Sequence, residues 1–103
     1  MAEELIETMI TVLVERQAKE GKEGELIELL KKLRTIYTLQ PGYISSKILQ
    51  SVEDKSSILA VVTWSDTAAR KAYANNPKRL EIIPKIEGLL TEPPKYFFLK
   101  TIS

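Results

Sequence analysis

The stretch VVTWSDTAARKAYANNP, residues 61–77, contains the change from strand to helix around which the rest of the chain is arranged. A run of β-branched residues ends at Trp64, the single tryptophan of the sequence. The Ser-Asp pair that follows suits an N-cap and a first helical turn, so a helix is expected directly after Trp64. Asn76 is a second capping residue, and Pro77 suits the first position of a helix. This stretch therefore predicts a strand and then a helix that restarts in a new direction.

Four segments have the alternation or the composition of β-strands. They are Met9–Gln17, Tyr43–Ser51, Ile58–Trp64 and Tyr96–Ile102. The first has an apolar residue at every second position from Ile10, which predicts one apolar face. The third contains the run ILAVV, which is typical of a central strand covered on both faces. The second is weaker, and it is expected to place Ile44 and Ile48 on one face and the polar pair Ser45 and Lys47 on the other.

Two segments have the spacing of amphipathic helices. In the first, which begins at Glu25, the apolar residues are Leu26, Leu29, Leu30, Leu33, Ile36 and Tyr37. Pro41-Gly42 ends this helix. In the segment after Pro77 the expected buried residues are Leu80, Ile83, Ile86 and Leu90. Pro84 lies among them and is expected to kink or divide that helix.

The order β-α-β-β-α-β predicts a ferredoxin-like α+β sandwich, with helices on one face of a four-stranded antiparallel sheet. With no linker or repeat, residues 1–103 are expected to form one domain, of which residues 1–8 are an acidic tail. The helices leave the second face of the sheet bare, although the third and fourth strands are apolar on both sides. A second copy of the chain is the simplest cover, so we expect a homodimer joined sheet to sheet.

Composition removes several classes of function. Fifteen basic and fourteen acidic residues give a net charge of +1, which argues against nucleic acid and membrane surfaces as partners. The sequence has no cysteine and no histidine, which removes thiolate and imidazole chemistry and their metal sites. The amino end lacks the apolar run of a signal peptide or membrane span, so a cytoplasmic protein is expected.

Trp64 and Tyr73 are the main candidates for a binding site. Tyr73 lies about two and a half turns into the helix after Trp64. The neighbouring small residues are Ala68, Ala69 and Ala72. They could leave room for a flat aromatic ligand held by stacking, or they could let the helix pack closely on the sheet with Trp64 as ordinary core. Tyr37, Tyr43 and Ser45 are further candidates for ligand contact, and Ser45 and Lys47 could equally be solvated.

Several landmarks resemble the antibiotic biosynthesis monooxygenase domain. They are a glycine-containing turn at residues 21–24 before a leucine-rich helix, the PGY motif at Pro41–Tyr43, and a strand that ends in WSD at Trp64–Asp66. The resemblance extends from Met9 to about Ile102. It implies a dimeric α+β barrel built from ferredoxin-like subunits. Characterised members include cofactor-independent monooxygenases of quinols and aromatic polyketides, and heme-degrading oxygenases.

The functional residues of these relatives are mostly replaced. The asparagine, tryptophan and histidine of the heme-degrading branch correspond to Val14, Tyr73 and Ile83. Tyr73 also stands where quinol-oxidising relatives often carry a histidine, and Ala60 stands where the polyketide oxygenases carry an asparagine. Trp64 itself matches. We therefore expect no heme, metal or flavin cofactor, and the sequence identifies no catalytic residue.

Two functions remain open at this point. One is a monooxygenase-like activity on a small phenolic or quinol substrate, which would need a dry cavity, a base and donors for developing negative charge. The Trp64 indole and the Tyr73 hydroxyl could be the donors, whereas no base is evident. The alternative is a non-catalytic dimer that binds a small apolar ligand or serves as a structural module.

Overall fold

The computed structural model describes residues 8–103. Its elements are β1 (Ile10–Gln17), α1 (Glu23–Tyr37), β2 (Tyr43–Gln50), β3 (Ser57–Trp64), α2 (Thr67–Ala74), α3 (Pro77–Glu87) and β4 (Lys95–Lys100). The expected acidic tail falls almost entirely outside the described residues. The predicted order β-α-β-β-α-β is confirmed, with the second helical segment made of the two helices α2 and α3.

The four strands form one antiparallel sheet in the order β2-β3-β1-β4. This is the ferredoxin-like arrangement, so the predicted fold class is confirmed. Alternate residues of β1 and β3 are buried and form, with side chains of the helices, one core. We call this side of the sheet the inner face. No helix of residues 8–103 is long and apolar enough to cross a membrane.

The helix start at Asn76 follows the predicted capping, whereas the N-cap of α2 is Asp66, one residue after the predicted cap Ser65. The Asp66 carboxylate accepts a hydrogen bond of 2.8 Å from the backbone N–H of Ala69, at the start of α2. The Asn76 side chain accepts one of 2.9 Å from the backbone N–H of Lys78, and Pro77 is the first residue of α3. Each cap satisfies a backbone donor that has no partner within the helix.

Helix α3 differs from its predicted orientation. Ile86 and Leu90 are buried and Ile83 is half-buried, but Leu80 is 52% exposed. The preceding residue, Arg79, is half-buried instead, since positions 79, 83, 86 and 90 continue one helical face at spacings of four, three and four. Pro84 lies inside a continuous helix and does not divide it.

Strand β2 contains an irregularity that its sequence did not predict. Its register with β3 shifts between Tyr43 and Ser45, so that Ile44 is an extra residue and is 39% exposed. Alternation had predicted that Ile44 shares a face with Ile48, and the structure shows that it does not. Ser45 pairs with Thr63 on the opposite face of the sheet.

The outer face is the side of the sheet opposite the helices. It carries Phe97 and Leu99 of β4, which are 42% and 47% exposed. Phe98 lies opposite the buried Val12 and so belongs to the inner face, at its uncovered edge. Strand β3 alternates between buried and half-buried residues, so within one subunit only its inner side is fully covered. The sequence predicted that both sides of β3 are covered. Burial of its outer side stays a prediction, because it depends on the homodimer.

Candidate functional site

Four of the five predicted site residues meet between the sheet and the helices. We call Tyr37, Tyr43, Trp64 and Tyr73 the aromatic cluster. Ring centroids are 5.2 Å apart for Trp64 and Tyr73, 5.8 Å for Tyr37 and Tyr73, 5.8 Å for Tyr37 and Tyr43, and 6.3 Å for Tyr43 and Trp64. Trp64 is completely buried, and Tyr37 and Tyr73 nearly so. The sequence analysis named these four residues as candidates, and the structure shows that they contact one another.

The PGY turn allows helix α2 to approach the sheet closely. Gly42 has a φ of +87°, which favours glycine, and a Cβ atom there would collide with the Ala69 side chain and lie 2.8 Å from Ser65 Oγ. The Ser65 backbone N–H also donates a hydrogen bond of 2.7 Å to the Gly42 carbonyl. The glycine thus fixes the start of α2 against β2, and this position brings Tyr73 onto Trp64.

The expected room beside the alanines is absent in this conformation. Ala68 and Ala72 are exposed, and Ala69 alone packs against the core. Tyr73 itself occupies the place where a flat ligand was expected, with its ring stacked on Trp64. The remaining cavity has a volume of about 30 Å³, which is roughly the space of one water molecule. Of the two alternatives for the alanines, close packing of the helix on the sheet therefore agrees better with the structure than room for a ligand.

The structure does not bring Ser45 into the aromatic cluster. Ser45 is exposed on the outer face, and so is Lys47, which pairs with Val61. Ser46 shares the inner face with Ile48, and its hydroxyl lies 2.7 Å from the Tyr43 hydroxyl in a hydrogen bond. Alternation alone placed Ser45 and Lys47 outward, whereas the inward position of Tyr43 depends on the register shift with β3.

Three arginines line the cavity together with the aromatic cluster, and sequence reasoning missed them. We call Arg16 of β1, Arg70 of α2 and Arg79 of α3 the arginine cluster. Arg16 is only 4% exposed. Its position could have been found, because it continues the alternation of the buried residues of β1. The other two come from separate helices, and only the tertiary structure shows that they converge.

The guanidinium groups of α2 and α3 lie over the ring of Tyr73. The guanidinium carbon of Arg79 is 5.4 Å from the ring centroid and that of Arg70 is 5.7 Å from it. Such distances are within the range of cation–π attraction. Arg79 also donates a hydrogen bond of 3.1 Å to the carbonyl of Ala74 at the end of α2. The ring of Tyr73 therefore contacts the indole of Trp64 and two guanidinium groups.

Several buried donors at this site have no hydrogen-bond partner in the part of the chain that the structure describes. These atoms are Arg16 Nε, Tyr37 Oη, Trp64 Nε1 and Arg79 Nε. All four belong to residues that line the cavity. Buried polar groups in proteins are usually bonded, so a cluster of unbonded donors needs an explanation. The donors are complementary to a ligand that offers acceptor oxygens.

The tyrosines are poor bases in this environment. Burial raises the pKa of Tyr73 to about 12, although the nearby arginines oppose the shift. Burial also raises the pKa of Tyr37. Both hydroxyls stay protonated near neutral pH, so they are suited to donate hydrogen bonds. Within residues 8–103, no group of acidic side chains is arranged to hold a metal ion.

These features define an α+β domain of ferredoxin-like topology, with a small cavity walled by aromatic rings and arginines between the sheet and the helices. Residues 9–85 match the antibiotic biosynthesis monooxygenase family, and the chain belongs to that family. No curated protein sequence matches the chain.

Similar structures support the fold. A conserved protein from Methanosarcina mazei Go1 superposes with a TM-score of 0.90 at 19% identity, covering 98% of this chain and 99% of the other. A variant of SnoaB, a cofactor-independent oxygenase from Streptomyces nogalater, gives 0.86 at 17% identity, with 93% and 95% covered. The protein PA3566 from Pseudomonas aeruginosa gives 0.84 at 21%, with 95% and 98% covered. At these identities the likeness shows the fold alone.

Proposed function

We propose that the protein is a cofactor-independent monooxygenase that acts on a small phenolic or quinol compound. The observation that carries this proposal is the buried aromatic cluster, together with the unbonded donors around one cavity. Family membership supports the same class of chemistry, and the structural neighbour SnoaB is named as a cofactor-independent oxygenase.

The proposed chemistry assigns a task to each part of the site. An electron-rich substrate reduces dioxygen after it has lost a proton, so the protein must exclude water and stabilise negative charge. The indole N–H of Trp64 and the hydroxyls of Tyr37 and Tyr73 are donors for that charge. Tyr43 contributes a wall of the cavity, and its hydroxyl is already bonded to Ser46. Removal of the substrate proton is assigned to no tyrosine, because burial keeps Tyr37 and Tyr73 protonated.

Substrate entry requires Tyr73 to move, because a cavity of about 30 Å³ admits no aromatic ring. Helix α2 has eight residues, and Tyr73 is its single fully buried side chain. An outward shift of this short helix would separate Tyr73 from Trp64 and open a slot between the two rings. A flat substrate would then replace the stacking contact that Tyr73 makes with Trp64.

A non-catalytic role remains the second candidate, since the described conformation is filled by its own side chains and presents no base. In that case the protein is a dimeric module that binds a small apolar ligand or has only a structural role. In both cases we propose a homodimer that buries the outer face, where Phe97 and Leu99 are exposed. The cytoplasmic location and the absence of nucleic acid and membrane partners stay predictions of the sequence.

Oxygen uptake with a panel of quinols tests the enzymatic proposal. We expect consumption of oxygen and quinol well above the rate without protein, unchanged by a chelator, and slowed in Tyr73→Phe. Leu39→Ala is a control, because Leu39 is 83% exposed and does not line the cavity. A quinol that binds saturably but is not oxidised faster than in buffer would instead favour the non-catalytic module.

A further inference from the structure

Among residues 8–103, the arginine cluster has no acidic partner. None of the described residues that line the cavity is an aspartate or a glutamate. The ion pairs found among residues 8–103 are Lys22–Glu25 and Lys31–Glu28, both on the exposed side of α1. Three guanidinium groups from three separate elements therefore converge on one cavity without a counter-charge from the described chain.

This arrangement is unfavourable without a ligand. A buried charge is normally paired and fully hydrogen-bonded, because it has lost the stabilisation that water provides. Arg16 is 4% exposed and its Nε has no hydrogen-bond partner in the described residues. Burial lowers the pKa of Arg16, and the neighbouring charge of Arg79 lowers it further. Tyr96 and Tyr73 oppose this shift, Tyr96 in part through a side-chain hydrogen bond to Arg16. Burial and Arg79 likewise lower the pKa of Arg70.

Attraction to aromatic rings compensates only part of this cost. Arg70 and Arg79 lie over the ring of Tyr73, and Arg70 also lies 5.8 Å from the ring centroid of Phe98. A cation–π contact is weaker than a hydrogen-bonded ion pair at a buried site. The unbonded donors and the surplus positive charge belong to residues that line the same cavity.

We propose that the site binds an aromatic ligand as its anion, with the ionised oxygen of a phenol held by the arginine cluster. This inference rests on the proposed function and specifies the ionic form of its substrate. The guanidinium groups supply donors and charge, while Trp64 and Tyr73 contact the ring. Phe98, 58% exposed on the inner face at the uncovered edge of β4, lies beside Arg70.

Binding the anion also accounts for the absence of a base. A positive site stabilises a phenolate relative to the phenol, so it lowers the pKa of the bound hydroxyl. The O–H bond breaks with its electron pair left on the phenolate oxygen, and the proton passes to bulk water. The titratable and charged groups that face the ligand are Arg16 of β1, Tyr37 of α1, Arg70 and Tyr73 of α2, Arg79 of α3 and Tyr96 of β4. None of these groups is a carboxylate.

The test uses 4-nitrophenol, whose absorption distinguishes the phenol from the phenolate, and 4-nitroanisole as the neutral analogue with the same ring. Binding is measured without oxygen, so that turnover does not interfere. We expect the phenolate to bind at least about tenfold more tightly than 4-nitroanisole. We also expect the apparent pKa of bound 4-nitrophenol to fall by about one unit, which is the same tenfold change.

Two variants assign this preference to the arginine cluster. Arg70→Gln and Arg79→Gln should each reduce the preference for the phenolate, whereas Arg34→Gln, an equal change of charge at an exposed position of α1, should preserve it. Circular dichroism verifies that each variant is folded. Arg16→Gln is less informative, because Arg16 is a buried residue of the central strand.

Equal affinity for the two probes, no binding of either at millimolar concentration, or a preference unchanged in both Arg70→Gln and Arg79→Gln would overturn the inference. Its failure is distinguishable from failure of the proposed function. If the phenolate is preferred but no quinol is oxidised, the anion site stands and the enzymatic proposal fails. If quinols are oxidised but the phenolate and 4-nitroanisole bind equally well, the enzymatic proposal stands and the anion site fails.

Discussion

The ring of Tyr73 stacks on the indole of Trp64, with 5.2 Å between ring centroids and 27° between the ring planes. The two main candidates for a ligand site therefore touch each other and do not flank an open slot. Trp64 is completely buried, while its Nε1 has no hydrogen-bond partner among residues 8–103. Tyr73 thus fills the cavity in the described conformation, and it is also the side chain that a ligand must displace.

Aromatic ligands should quench the fluorescence of Trp64 saturably, because they would replace Tyr73 against the indole. Tyr73→Phe should weaken this binding while the protein stays folded, since the ring remains and only the hydroxyl is lost. Fluorescence titration with a panel of flat phenols and quinols measures both effects, and Leu39→Ala provides the unaffected control. If no member of a broad panel produces a saturable change at millimolar concentration, Trp64 has no role in a site.

Replacing Trp64 by Phe should destabilise the fold by about 2 kcal/mol, because a large buried side chain is shortened and leaves a void. Urea unfolding followed by circular dichroism measures the change without needing the tryptophan signal. Leu39→Ala should change the free energy of unfolding by no more than about 0.5 kcal/mol, as expected for an exposed side chain. Similar values for the two variants would contradict the burial of Trp64.

Gly42→Ala should cost about 2 kcal/mol, since the backbone φ is positive and the new Cβ would collide with Ala69. Gly24 offers a matched control, because it lies in α1 and a Cβ there meets nothing within 4 Å. Gly24→Ala should be neutral or slightly stabilising, as alanine favours the helix. Equal stability of the two variants in urea would show that α2 does not depend on the glycine turn.

The stability contributed by Tyr73 should be lost at alkaline pH. Its folded-state pKa is raised from 10.0 to about 12 by burial, so between these values the folded protein holds a proton that the unfolded chain releases. Unfolding therefore becomes easier as the pH rises through that window, and the contribution is fully present below about pH 10. Urea unfolding of the wild type and Tyr73→Phe at several pH values isolates the effect. A difference between the two that stays constant from pH 9 to about pH 12 would falsify the raised pKa.

The protein should be a homodimer in solution, with twice the mass of the chain by light scattering at micromolar concentration. Phe97→Asp should dissociate or unfold it, because an unpaired charge in an apolar seam costs several kcal/mol. Phe98→Asp is the control at the neighbouring residue. Phe98 lies on the inner face, so this substitution should leave the dimer intact. A monomeric wild type, or equal dissociation by both variants, argues against an interface on the outer face.

The sequence by itself determined the elements of the fold, because helix and strand depend on local patterns. The apolar spacing of α1 correctly predicted the burial of Leu26, Leu30 and Leu33. The cap Asn76 was predicted from its own side chain and the proline that follows, and the cap of α2 was predicted to within one residue. These features involve contacts between residues that are close in the chain, so no long-range information was needed.

Only the tertiary structure decided the composition of the site. The bulge at Ile44 depends on register with β3, and it brings Tyr43 to the inner face opposite Trp64. The direction of α3 places Arg79 toward the cavity and exposes Leu80. A shift of one residue turns a side chain to the other face of a strand and by about 100° around a helix. Such shifts are set by packing between distant segments, which is why sequence patterns found the aromatic cluster but missed the arginine cluster.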